Sequence, residues 1–497
     1  MRGVGTLRGR RGLGLPAIAA VLTLGAAACG SWQVSPTPTP VAAIHVALMH
    51  TGKVLLVAGS GNDKSDFDAG TFRTSIWDPK TNTFQSVATP WDAFCSGHAF
   101  LPDGRLLVTG GTAGYPTGTN ANYAGTNRAF IFDPVQGKYT AAPDSSISRW
   151  YPSVVELGDG RLLTVGGFDQ NRKRSTKQEI FDGTSWTAAQ PPPDGLSYMP
   201  TYPALHLLSD GRLFYSGANV LGTSSAQPGI WDLSGNTYQD VPGLQKRALR
   251  DEGMSVLLPP AQDQRVLVVG GGKTNGTSAP TDTAAVVNLK DANPRYEATA
   301  PIDVPKLYVS DVILPDSTVL ETGGASTSVK VGNNPVFSAQ VFDPKTDTWS
   351  KAATPTVPRV YHSSAILLPD GRVATFGGNP VGSFEYRIEI YSPSYLSTGA
   401  ERPKITAAPT EISYGGQYAL TTTQASPLSS AVLVRPAAVT HSSDSNQRLV
   451  RLGLTRTANG VDVSVPQNPN LTPPGWYMLF VLDSTGVPSV ASWVHVS

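Results

Sequence analysis

Cysteine is nearly absent from this chain. Only Cys29 and Cys95 occur in 497 residues, which excludes a disulfide-stapled scaffold and leaves each thiol to be explained singly. Charge is scarce as well: 15% of residues are Asp, Glu, Lys or Arg, against roughly 25% in an average soluble domain. Lys+Arg 38 against Asp+Glu 37 provides no basic field for nucleic acid or an anionic membrane surface. The apolar run LGLPAIAAVLTLGAAA, Leu13 to Ala28, is too short and too rich in small residues to span a bilayer. Glycine and proline are plentiful, at 50 and 41 residues, above the usual ~7% and ~5%. That composition suits a turn-rich all-β chain, and the length allows more than one domain.

Preceded by Arg2, Arg8, Arg10 and Arg11, the apolar run reads as a secretory signal over residues 1–29. Gly25-Ala-Ala-Ala-Cys29-Gly30 resembles the lipobox of bacterial lipoproteins, whose cysteine is acylated and becomes the mature N-terminus; the alternative is an ordinary A-x-A cleavage. The mature protein is expected to be exported, either held at the cell envelope by that lipid or secreted. Residues 30–43, with SWQVSPTPTPVAA from Ser31, are expected to form an extended, semi-rigid linker. After processing, Cys95 is the thiol that remains.

From Ile44 to Arg402 a hairpin ending in glycine recurs seven times, as in HAFLPDGRLLVTGG, SVVELGDGRLLTVGG, ALHLLSDGRLFYSG and SAILLPDGRVATFGG. Asp-Gly between two β-branched runs is a strong hairpin signal. Each hairpin is followed by a third strand and a polar turn, as in IWDPKTNTF and VFDPKTDTW. Seven units at a spacing of about fifty residues predict a seven-bladed kelch-type β-propeller over 44–402. Beyond it, over 403–497, the short strands AVLVRP, QRLVRL, VDVSV and GWYMLFVLD predict an immunoglobulin-like β-sandwich.

In a radial repeat, equivalent positions lie at one height around the axis. Eight residues before the turn aspartates Asp103, Asp159, Asp210, Asp316 and Asp370 stand Cys95, Tyr151, Tyr202, Tyr308 and His362, and Tyr361 precedes the last. These side chains are expected to ring one mouth of the central channel. For Tyr202 and Tyr308 inner-layer packing is the expected role. Neighbours on a strand face opposite ways, so Tyr361 and His362 serve one site only if the strand begins after them. Cys95, taken alone, also fits a buried small hydrophobe. His45, His50, His98, His206 and His495 are expected to be structural, His98 being the one close to Cys95.

The segments FCSGHAFLPDGR, RWYPSVVELGDGRLLTVGG, RVYHSSAILLPDGRVATFGG and VTHSSDSNQRLVRL, in this order, resemble the copper radical oxidases, the glyoxal oxidase and galactose oxidase group. The resemblance runs from about Ile44 to the end. It implies a thioether between Cys95 and Tyr151, with Tyr151 as copper ligand and redox site. Tyr361 becomes an axial ligand and general base, and His362 and His441 the imidazole ligands, His441 being carried into the channel by a hairpin of the C-terminal domain. The implied cofactors are one copper ion and the protein-derived Cys95–Tyr151 radical, with no organic cofactor. Two imidazoles, two phenolates and an open position suit tetragonal Cu(II) better than a thiolate-rich structural zinc site.

The implied reaction is two-electron oxidation of a small aldehyde or a primary alcohol, with O2 reduced to H2O2; glycan ends in the envelope or outside the cell are a second substrate class. A propeller that binds glycan or protein without catalysis remains open, and it would not need all five residues. The chain departs from galactose oxidases at Gly166-Gly167-Phe168-Asp169, where they carry a tryptophan over the thioether. Phe168 or an aromatic from another loop is therefore expected to cover Tyr151. RWYPS, SYMPTYPALHLL and the lack of a carbohydrate-binding domain before the propeller look closer to the glyoxal oxidases.

Overall fold

The computed structural model describes residues 29–497 apart from 191–198, 222–225, 274–278, 381–382, 424–427 and 459, and of the first 28 only Gly3 and Gly5. The secretory signal and most of the lipobox lie outside the described residues.

Seven antiparallel sheets form the blades of a propeller. The third blade shows the pattern: Ser153–Glu156, Leu162–Val165, Gln178–Phe181 and Trp186–Ala189 follow one another in chain order from axis to rim. The first two strands are buried throughout, whereas the last is largely exposed. Continuous apolar runs therefore sit between neighbouring blades, and only the outer strands meet water. At each LPDGR-like turn the aspartate accepts the backbone N–H two residues on, as Asp159 does from Arg161 at 3.1 Å. The glycine doublet that ends the second strand is a steric requirement. Gly166 and Gly167 have φ of 72° and 86°, and a Cβ would meet Pro200 O at 2.3 Å and Trp150 O at 2.7 Å.

The structure departs from the sequence reading at residues 30–43, which are not a free linker. Ser31–Val34 pairs antiparallel with Glu389–Ser392 and becomes the rim strand of the seventh blade. An unpaired rim edge exposes backbone donors and acceptors, and this strand covers them. Trp32 secures it, packing on Tyr391 at 4.9 Å and donating its indole N–H to Ala353 O at 2.6 Å. The propeller is thus closed by its N-terminus and extends from Ser31.

Among the described residues the C-terminal domain is a β-sandwich of eight strands in which Leu449–Thr457 pairs with both Leu428–Val434 and Gly460–Ser464. One of its loops enters the propeller. Ala438–Thr440 pairs with His45–Leu48 as a fifth, axial strand of the first blade.

Candidate metal centre

The residues found by counting back from the turns share one backbone conformation. Cys95, Tyr151, Tyr202, Tyr308 and His362 have φ of 63°, 67°, 40°, 63° and 68°, left-handed values unusual for side chains larger than glycine. Hydrogen bonds between blades hold several of them. Tyr151 N–H donates to Cys95 O at 2.9 Å, Tyr202 N–H to Tyr151 O at 2.9 Å, and Tyr308 N–H to Glu252 O at 2.8 Å. Buried cations brace the segments just before them: Arg149, Arg250 and Arg359 donate to the carbonyls of Gly166, Gly270 and Gly377 at 2.7, 2.9 and 2.8 Å.

Glu252, with φ 59°, belongs to the same ring, and the turn count missed it because its blade has Pro260 where the counted blades have the turn aspartate. The available signal was the cation two residues earlier: Arg149 precedes Tyr151 and Lys306 precedes Tyr308 as Arg250 precedes Glu252.

Four rings and a thiol converge at this height. The hydroxyls of Tyr151 and Tyr361 hydrogen-bond to each other. Tyr361 stacks on His362 at 3.8 Å, because the strand Ser363–Leu367 begins only after the left-handed His362. His441, delivered by the inserted loop, lies 4.6 Å from both Tyr151 and His362 between ring centroids. Its left-handed backbone, φ 50°, is followed by a second such residue, Ser442, whose N–H donates to Ser363 O at 2.9 Å. Cys95 Sγ is 3.8 Å from His441 Nε2, and ligand atoms of Cys95, His362 and His441 lie within 4.8 Å of one another.

The inserted loop is held by its polar side chains. Asn446 bonds Val154 O and Glu156 N at 3.0 and 2.9 Å. Gln447 accepts from Ile313 N at 2.6 Å and donates to Asp311 at 3.0 Å. Ser445 accepts from Leu205 N at 3.3 Å.

Both imidazoles are prepared for a cation. Burial pushes His362 down to about 3 and His441 well below the usual histidine range, so their ring lone pairs are free at neutral pH. In each ring Nδ1 is engaged: His362 with Asn379 Oδ1 at 2.5 Å, His441 with Thr440 Oγ1 at 2.6 Å. Donation from His362 Nδ1–H to the amide oxygen fixes the tautomer that leaves Nε2 as the lone-pair nitrogen, and that Nε2 is buried without a hydrogen-bond partner. Burial raises the Tyr151 and Tyr361 phenols well above their usual range. Ionised phenolates here need a cation beside them. The unpartnered Nε2 of His362, the Nε2 of His441 with only the Cys95 thiol beside it, and two phenols fit one copper ion.

The ring against Tyr151 is that of Trp150, at 3.7 Å between centroids. Tyr123, from a loop of the preceding blade, stacks on Trp150 at 4.4 Å and 3°. Phe168 lies behind, 6.0 Å from Trp150. The cover expected from Phe168 or another loop is thus led by the residue immediately before Tyr151.

Among the other residues singled out, Tyr202 donates to Ser96 O at 2.6 Å and Tyr308 accepts from Val329 N at 2.9 Å, which fits packing roles. His206 bonds Ser255, His495 bonds Glu411 and His50 stacks on Trp476. His98 packs edge-on to His45 at 5.4 Å. His45 stands nearer the centre than its sequence implied: its Nε2 accepts the Cys95 N–H at 3.1 Å.

Two family models cover the chain: Glyoxal oxidase N-terminus over residues 69–404 and Galactose oxidase-like, Early set domain over 402–496. A galactose oxidase from Gibberella zeae is 29% identical over 476 residues, covering 90% of this chain and 68% of that protein. The aldehyde oxidase GLOX of Vitis pseudoreticulata is 28% identical over 534 residues, covering 94% and 97%. A solved fungal alcohol oxidase in complex with copper shares the fold, with a TM-score of 0.79 at 23% identity over 94% of this chain.

Proposed function

This chain belongs to the glyoxal oxidase family of copper radical oxidases, and on that premise we propose that the cluster at the channel mouth is its redox centre. Tyr151, Tyr361, His362 and His441 hold one copper ion, and a thioether joins Cys95 to Tyr151. Bound copper supplies Lewis acidity toward the substrate oxygen and one of the two oxidising equivalents. Tyr151 supplies the other as a phenoxyl and takes a hydrogen atom from the substrate carbon. Tyr361, whose hydroxyl meets that of Tyr151, accepts the substrate hydroxyl proton. Thr440 and Asn379 keep the two imidazoles oriented. The balance is R–CH2OH + O2 → R–CHO + H2O2, and an aldehyde enters as its hydrate and leaves as the acid.

The observation that carries this reading is the meeting of five chemically competent side chains from three blades and the C-terminal domain in one buried cluster. A protein that only binds glycan or protein has no need of it.

Small aldehydes and primary alcohols are the proposed substrates. A second reading, glycan ends, is favoured by one observation. A cavity of about 860 Å³ reaches the centre only through Asn379, the partner of His362, and has Asn62, Asp63, Arg73, Phe384 and Tyr386 in its walls; it is far larger than a small aldehyde needs and offers polar groups beside aromatic rings.

Export to the cell envelope or beyond is part of the proposal. Acylation of Cys29 would leave only Gly30 between the lipid and the strand Ser31–Val34. The Cys29 carbonyl already accepts from Ala353 N and the Tyr391 hydroxyl, both at 2.8 Å, so an anchored enzyme would sit against the envelope without a spacer.

The test is intact mass and thiol alkylation of protein loaded with copper in air, followed by a peroxide-coupled screen of aldehydes, primary alcohols and sugars. The expected result is loss of two hydrogens, protection of Cys95 from alkylation, and turnover that disappears in Cys95→Ser. A freely alkylatable Cys95 in protein of unchanged mass refutes the thioether.

A further inference from the structure

A centre that performs two-electron chemistry with two one-electron stores has an odd-electron state that is silent toward substrate. Loss of a single equivalent from Tyr151 strands the site there, and recovery needs an electron to leave a phenol that is itself fully buried. Of the aromatic side chains that touch Tyr151, Tyr202, His441 and Tyr361 are 2%, 3% and 8% exposed, and the further rings against Tyr361, those of Tyr308 and His362, are buried too.

The fourth ring opens a way out. Trp150 lies 3.7 Å from Tyr151, and Tyr123 stacks on Trp150 at 4.4 Å with the planes 3° apart. Tyr123 is only partly buried, and its hydroxyl donates to Asn62 Oδ1 at 2.8 Å in a solvent-exposed hydrogen bond. Asn62 is in the wall of the large cavity that also reaches Asn379. Three oxidisable rings in van der Waals contact therefore lead from the buried phenol to solvent. Indole and phenol lose single electrons more readily than any other side chains in this region, whereas the nearby Phe94 and Phe67 do not.

We propose that Tyr123 and Trp150 are an electron relay through which an outer-sphere one-electron metal oxidant recharges the Tyr151 phenoxyl from outside. The inference rests on the copper radical reading above. In each event the oxidant takes one electron from Tyr123, Tyr123 is refilled from Trp150, and Trp150 from the Tyr151 phenolate. The net change is one phenolate to one phenoxyl and one oxidant to its reduced form, with no net proton transfer. The proton that the Tyr123 hydroxyl shares with Asn62 Oδ1 moves off along that exposed hydrogen bond as the electron leaves and returns when Trp150 refills the ring.

The experiment uses copper-loaded, cross-linked protein brought to the one-electron-reduced state and mixed with hexachloroiridate(IV) in a stopped-flow spectrometer, following the visible absorption of the phenoxyl. Tyr123→Phe keeps a stacked ring but cannot be oxidised. It is expected to slow phenoxyl formation by an order of magnitude while leaving copper affinity and steady-state turnover of the pre-oxidised enzyme unchanged. It is also expected to lengthen the life of the phenoxyl stored without substrate, since the same path drains it. Trp150→Phe should slow formation at least as much. Equal rates in wild type and Tyr123→Phe overturn the relay. A wild type that yields no phenoxyl at all overturns the copper radical reading itself, and the two failures are therefore distinct.

Discussion

Asn379→Ala isolates the tether on His362. The wild-type amide oxygen meets His362 Nδ1 at 2.5 Å, and the alanine variant leaves that buried N–H without an acceptor. Two other contacts of residue 379 are made by its backbone and survive: its N–H donates to Tyr361 O at 2.8 Å, and its carbonyl accepts from the Asn333 side chain. The fold should therefore lose about 1–3 kcal/mol, the cost of one unsatisfied buried donor. At the metal, the ring is free to rotate and to exchange tautomers. Outer-shell losses of this kind weaken metal binding by about 10–100-fold, or roughly 1.4–2.8 kcal/mol. Titration of copper against a chromophoric chelator at neutral pH measures the affinity, and the Cu(II) electron paramagnetic resonance spectrum reports the altered nitrogen ligand. Asn379→Asp restores an acceptor and should recover most of the affinity. An alanine variant with wild-type affinity and an unchanged spectrum would refute the claim that Asn379 positions His362.

Asn446→Ala leaves Val154 O and Glu156 N without their partner; it should cost about 1–3 kcal/mol in denaturant unfolding and loosen His441, and unchanged stability and copper affinity would contradict the pinning role of the loop. Lys306 and Glu321 form an ion pair at 2.8 Å with both side chains fully buried. Lys306→Met should cost about 3–5 kcal/mol, and Lys306→Met with Glu321→Leu should recover most of it, as read from urea midpoints. Burial pushes the Asp92 carboxyl up to about 6, although it accepts from Ser60 and Phe94. The folded chain then holds a proton that the unfolded chain releases near pH 4. This contribution is full below pH 4 and lost as pH rises through 6, a change of about 3 kcal/mol. Asp92→Asn should gain that much on wild type between pH 4 and pH 7, and a gap that does not vary with pH would contradict it.

What the sequence determined by itself was the repeat. Apolar strand pairs joined at tight turns, four of them Asp-Gly, impose hairpins, seven hairpins impose a ring, and equal spacing from the turn aspartate puts Cys95, Tyr151 and His362 at one height. Local chemistry of this kind is legible because turn residues and strand periodicity act over a few residues. Tertiary structure decided what depends on partners distant in sequence. Ser31–Val34 reads as a Pro/Thr tail until the unpaired rim strand Glu389–Ser392 is there to receive it. Glu252 was hidden because its blade has Pro260 in place of the turn aspartate, yet the hydrogen bond from Tyr308 places it in the ring all the same. Trp150 rather than Phe168 lies against Tyr151, since the left-handed backbone at Tyr151 sets the angle between adjacent rings. The polar run SSDSNQR carries no sign of its role, because the side chains of Ser445, Asn446 and Gln447 each satisfy backbone or polar groups of a different blade. Only the closed propeller brings those unpaired inner edges together around one loop, and that loop is what delivers His441 to the site.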